Sequence, residues 1–181
     1  MKETFHNLIL YLKNPVFEKD PNINLKYRFN IFFQILIISI LTGIAISPIF
    51  ALFEEMKWVN MENHKVEAMF QNMGILQIIL LGAILIPIAE EAIFRGPIIA
   101  FRKPKYFKLG FYASALLFGF IHISNFEITI NVLLLSPLLV LPQILLGVYF
   151  GYIRVRFGLK WSMLLHGSYN GVLIIMSFYF Q

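Results

Sequence analysis

Apolar residues along this chain neither alternate nor follow a narrow stripe; they come in five long runs. Phe32 to Phe53 is apolar apart from Gln34, Ser39, Thr42 and Ser47. Ala68 to Ala89 carries no charge and ends directly at Glu90. Leu109 to Phe126 has His122 as its one ionisable side chain, Ile128 to Ile153 is uncharged, and Trp161 to Phe180 is uncharged but holds His166 and Asn170. A run of roughly 20 apolar residues is enough for a helix to cross a bilayer, whereas a spanning barrel needs many short alternating segments. The pattern therefore predicts an all-α fold: a polytopic integral membrane helical bundle of about five transmembrane helices. Pro137 and Pro142 predict a kink in the long fourth run. Ahead of the first run, Phe5, Leu8, Ile9 and Leu12 share one helical face, which predicts a short interfacial helix. The apolar stretch Leu8 to Leu12 is too short for a signal peptide, and Asn14-Pro15 interrupts it.

Composition sharpens this picture. Apolar residues make up 59% and charged residues 14%, with a mean hydropathy of +0.74, against roughly 45–50% and about 25% in soluble domains. A soluble globular protein and a disordered tail are both excluded. Cysteine is absent, so disulfides, thiolate metal sites and a cysteine nucleophile are excluded. The single aspartate, Asp20, excludes a membrane-embedded aspartate pair. The net charge of +5 reads as topology rather than as a nucleic-acid surface, because of where the basic residues lie. Lys2, Lys13, Lys19, Lys26 and Arg28 precede the first run. Arg95, Arg102, Lys103, Lys105 and Lys108 follow the second, and Arg154, Arg156 and Lys160 follow the fourth. Only Lys57 and Lys65 fall on the opposite side, beside Glu54, Glu55, Glu62, Glu67 and Glu127. The asymmetry predicts a multi-pass protein of the cell membrane with a cytoplasmic N-terminus and, after five spans, an extracytoplasmic C-terminus. The lipid bilayer is the expected partner, and nucleic acid is not.

Ionisable groups inside membrane helices are costly, so each is a functional hypothesis. Glu91 and Arg95 are four residues apart and can pair on one helix face, while Glu90 lies about 100° further round. One carboxylate can then be structural and the other free to act as a general base; equally, the three could simply end a span. His122 follows Phe118 by one turn, so the ring can steady the imidazole, as it would for an ordinary core histidine. His166 and Asn170 share a face and can present two hydrogen-bond donors, as an oxyanion requires or as helix packing in membranes uses. Ser168 faces elsewhere than His166, which argues against a serine protease. The span limits put His122 and His166 in opposite halves of the membrane, each about 6–8 Å from its span centre. A shared site then requires tilt or a longer Glu90 helix.

Taken together, EEAIFR (Glu90 to Arg95), FGFIH (Phe118 to His122) and HGSYN (His166 to Asn170), in that order on three apolar helices, resemble the CAAX protease and bacteriocin-processing (CPBP, or Abi) family of intramembrane proteases. The resemblance covers about Gly74 to Phe180. It implies a catalytic core of four helices at 74–181, with 1–73 as an N-terminal segment holding the interfacial helix and first span. It also implies an intramembrane endopeptidase acting on a membrane-associated protein or peptide. Glu90 and His122 would activate water, Glu91 and Arg95 would brace the site, and His166 and Asn170 would stabilise the oxyanion. No cofactor is required in that scheme. Zinc held by two histidines and a glutamate stays open as a second scheme, although the pairing HExxH is absent. The alternative function is a non-catalytic membrane adaptor or bacteriocin-immunity protein keeping the same fold.

Overall fold

The computed structural model describes residues 1–60 and 73–179, and every regular element among them is helical. The first helix, α1 (Lys2–Lys13), buries Leu8 and Thr4 and leaves Phe5 about half exposed. Thr4 donates to Gln34 Oε1 at 2.7 Å. The carbonyls that any helix leaves open at its C-terminal end are met by neighbours: Tyr112 donates to Leu12 O, and Lys108 Nζ lies 3.4 Å from Lys13 O.

Asn24 starts the second helix, its side chain accepting from the Tyr27 backbone N–H at 3.2 Å, as an N-cap should. Helix α2 (Leu25–Glu55) runs for 31 residues, about 46 Å at 1.5 Å per residue, which exceeds a hydrocarbon core of about 30 Å. The third helical stretch, α3, is α-helical over Ile75–Ile78, π-helical over Ile79–Leu85 and α-helical again over Ile86–Phe94, with a 3₁₀ turn at Pro97–Phe101. Helix α4 (Pro104–Ile121) opens with a proline and passes into a 3₁₀ turn at His122–Asn125. The long fourth run is two helices, α5 (Ile130–Leu139) and α6 (Leu141–Phe157), broken at Val140. The break sits where Pro142, which has no N–H, cannot continue the hydrogen-bond ladder. Helix α7 (Leu159–Tyr179) follows after Gly158 alone, whose φ of +107° suits glycine and strains any other residue.

Four stretches, Leu25–Glu55, Ile75–Phe101, Pro104–Asn125 and Ile130–Phe157, are long and apolar enough to cross a membrane. This is a multi-pass membrane bundle. The fifth expected span, α7, has 21 residues and falls short in apolarity rather than in length. Lys160, Ser162, His166, Ser168 and Asn170 dilute it. The start of the span expected from Ala68, the loop residues Glu62, Lys65 and Glu67, and the Phe180 end lie outside the described residues.

Helix α6 is the centre of the packing, in contact with α1, α2, α4, α5 and α7. Leu8, Phe32 and Ile35 from the N-terminal helices join one buried cluster with Phe107, Phe111, Phe118, Phe150, Ile153 and Leu165. A polar cluster closes the end where α1, α2 and α6 meet. Asp20, in the α1–α2 connection, pairs with Arg156, and accepts from Tyr27 OH at 3.0 Å and from the Asn22 N–H at 2.9 Å. Arg156 Nη1 also donates to Tyr152 OH at 2.6 Å. Burial pushes the Asp20 carboxyl upward, but the Asn22 N–H and the Arg156 guanidinium outweigh it and hold the group below its ordinary value.

Candidate active site

The helical spacing of the first motif works as read. Glu91 and Arg95 are both fully buried, with Arg95 Nη1 3.3 Å from Glu91 Oε1. That contact is charge against charge rather than a hydrogen bond, since among the described residues Nε, Nη1 and Nη2 of Arg95 have no hydrogen-bond partner. The guanidinium instead lies over the Phe118 ring at 4.0 Å from its centroid and near Phe150 at 5.7 Å, where the ring faces attract a cation. Gly147 leaves room for it: a Cβ there would stand 3.1 Å from Arg95 Nη2.

The acceptors of Glu91, in contrast, are engaged. Ser162 donates to Oε2, and His166 Nδ1 lies 3.2 Å from Oε1. A carboxylate can only accept here, so Nδ1 carries the proton and Nε2 faces the other way. It faces Glu90, whose Oε2 is 3.6 Å away and whose side chain is 25% exposed where that of Glu91 is 0%. The imidazole thus stands between the two adjacent glutamates. Its ring is stacked on Phe150 at 4.6 Å, 24° from parallel, and meets Phe118 edge-on at 5.6 Å.

His122 reaches the same place by another route. Its Nδ1 donates to the Phe118 carbonyl at 2.7 Å, leaving Nε2 as the free nitrogen, and its ring meets Phe118 at 4.8 Å. Phe118 therefore contacts both His122 and His166, which the span limits put in opposite halves of the membrane. Among the described residues Glu90 makes its ion-pair contact with His166 and none with His122.

Asn170 is held differently again. Its Nδ2 donates to Gly82 O at 2.9 Å, inside the π-helical segment of α3. One amide hydrogen is thereby committed and one remains. Glycine also allows this approach of α7, since a Cβ at Gly167 would meet Ala83 O at 2.4 Å.

The six residues singled out in the sequence thus fall around one centre: Glu90, Glu91, Arg95 and His166 in a connected chain, His122 across Phe118, and Asn170 one turn beyond His166. The sequence did not mark Ser162, Phe150, the Gly82 carbonyl or, as part of the site, Arg154, whose Nε donates to Arg95 O at 3.1 Å. The serine that touches the site is Ser162 rather than Ser168. Among the described residues no three His, Asp or Glu side chains converge as a metal would require.

The sequence profile of the type II CAAX prenyl endopeptidase Rce1-like family matches residues 72–172, more than half of the chain. The chain belongs to this family. No curated protein and no solved structure matches it. The Rce1-like match spans all three motifs and begins after α2, so α1 and α2 lie outside it while packing against its helices. Membership makes the protein a CAAX-type protease of the membrane in general terms.

Proposed function

We propose that this Rce1-like protein is an intramembrane endopeptidase that hydrolyses a peptide bond of a membrane-associated protein or peptide, with Glu90 as general base. The observation that carries the reading is the chain Arg95–Glu91–His166–Glu90, in which a buried ion pair orients one face of an imidazole and the other face meets a partly exposed carboxylate. Glu90 takes a proton from the attacking water as its oxygen bonds to the peptide carbonyl carbon. His122, with Nδ1 fixed on Phe118 O, turns Nε2 to the same water. His166, donating from Nε2 when both of its ring nitrogens carry protons, and the remaining N–H of Asn170 stabilise the oxyanion, and the C–N bond breaks as the proton passes to the leaving amine. No metal takes part in this scheme. With α7 counted as a fifth span, the N-terminus is cytoplasmic and the C-terminus extracytoplasmic, and the substrate reaches the site from the bilayer.

Purified protein in proteoliposomes, given quenched peptides with and without a C-terminal prenyl group, tests the reading. Wild type should cleave at least one peptide and keep that activity in a strong zinc chelator, and Glu90→Gln should be inactive. Chelation loss that zinc alone reverses would replace the metal-free scheme with a zinc one. A Glu90→Gln protein that keeps its full cellular phenotype would establish the adaptor or immunity alternative. A reporter fused after Gln181 should read as extracytoplasmic.

A further inference from the structure

The π-helical segment Ile79–Leu85 ends in a way that leaves one backbone acceptor without a helical donor. The Ile86 N–H donates to Leu81 O, five residues back. The donor that would follow in the same register, and reach Gly82 O, belongs to residue 87, which is a proline. Gly82 O therefore has neither the i+4 donor of an α-helix, since Ile86 is turned to Leu81, nor the i+5 donor of a π-helix. A buried carbonyl left so is costly, and chains supply a partner from elsewhere. Here the partner is Asn170 Nδ2, at 2.9 Å. The same proline thus creates the acceptor and, by removing the competing N–H, reserves it for α7.

We infer that Pro87 is a positioning residue of the active site: by withholding an N–H from Gly82 O it fixes the Asn170 amide, and so directs the remaining Asn170 N–H to the oxyanion. Pro87 itself touches no reacting atom. The inference rests on the endopeptidase reading for its catalytic part only, because the fastening of Asn170 to Gly82 has its own stability signature.

Both parts are read in one double-mutant cycle of Pro87→Ala and Asn170→Leu. Thermal unfolding is measured in the Glu90→Gln background and cleavage kinetics in the active enzyme. Asn170→Leu strands Gly82 O when residue 87 is proline and should lower Tm by about 3 °C or more. With alanine at 87 the restored N–H covers the carbonyl, and the same substitution should lower Tm much less. In the active enzyme, Pro87→Ala should lower kcat by about tenfold with KM within about twofold, because the amide is no longer held where the oxyanion forms. Once Asn170 is leucine, Pro87→Ala should change kcat no further. Additive Tm losses, or kcat losses that multiply in the double variant, would overturn the inference. A wild-type enzyme that cleaves nothing while the Tm coupling holds would remove the endopeptidase reading and keep the Pro87–Gly82–Asn170 device.

Discussion

Among the described residues two arginine–carboxylate pairs are built in opposite ways. At the α1–α2–α6 junction Arg156 makes hydrogen bonds to Tyr152 OH and Asp20, so the cation is well satisfied and keeps 25% of its side chain exposed. In the site Arg95 is fully buried with no hydrogen bond from Nε, Nη1 or Nη2 among the described residues, and the carboxylate of Glu91 holds the directed bonds, to Ser162 and His166. The first pair fastens a loop. The second turns its carboxylate into an orienting group for an imidazole, with the arginine supplying charge and little geometry. Both carboxylates accept hydrogen bonds, so what separates the structural pair from the one that serves a site is whether the arginine is hydrogen-bonded as well, where charge alone would call them alike.

Variants can break that contrast, and the largest effect belongs to the buried pair. Glu91→Ala or Arg95→Ala strands a buried charge, a loss of roughly 3–5 kcal/mol. Both should therefore lower membrane abundance as well as activity. Glu90→Ala, at a partly exposed position, should remove activity with a much smaller effect on abundance. Quantitative immunoblots of membrane fractions compare the three, and equal abundance would dissolve the division of labour between the two glutamates. Next comes Ser162→Ala, which removes a hydrogen bond to a charged acceptor, worth about 1.5–3 kcal/mol. Since Glu91 then holds His166 less firmly, kcat should fall more than KM rises.

The smallest effect is at the junction, where it depends on pH. Asp20 has its folded-state value held below the ordinary one. Its contribution is thus fully present above the unfolded-state value and disappears as pH falls through the folded-state value. Tm measured from pH 7 down to about 3 should converge between wild type and Asp20→Asn at the acid end, with wild type higher at neutral pH. A gap that widened toward acid would reverse the sign and the argument.

Much of this could be read from the chain itself. The apolar runs located the helices, and Pro137 and Pro142 announced the break at Val140, because missing donors are visible in a sequence. The pairing of Glu91 with Arg95 followed from four-residue spacing, since both lie on one helix. His166 standing between Glu90 and Glu91 did not follow, because it depends on how α7 crosses α3. Ser162 and Phe150 left no signal for the same reason: a serine or a phenylalanine in an apolar helix becomes part of a site only through what faces it. Likewise the shared contact of His122 and His166 with Phe118 depends on how their helices cross, which an apolar run does not mark. Pro87 was visible, but its meaning depended on the π-helical register before it.

The single-residue turn at Gly158 has a consequence for what insertions this fold tolerates. Phe150 lies eight residues before Gly158 and His166 eight after it. At about 1.5 Å per residue both stand about 12 Å from the turn, and so the two rings come level and stack. The face-to-face contact is thus a matter of equal arm lengths in a helical hairpin. One extra residue on the α7 side would swing the imidazole about 100° around its axis and slide it about 1.5 Å, taking it off Phe150 and away from both glutamates at once. This one-residue connection is a ruler.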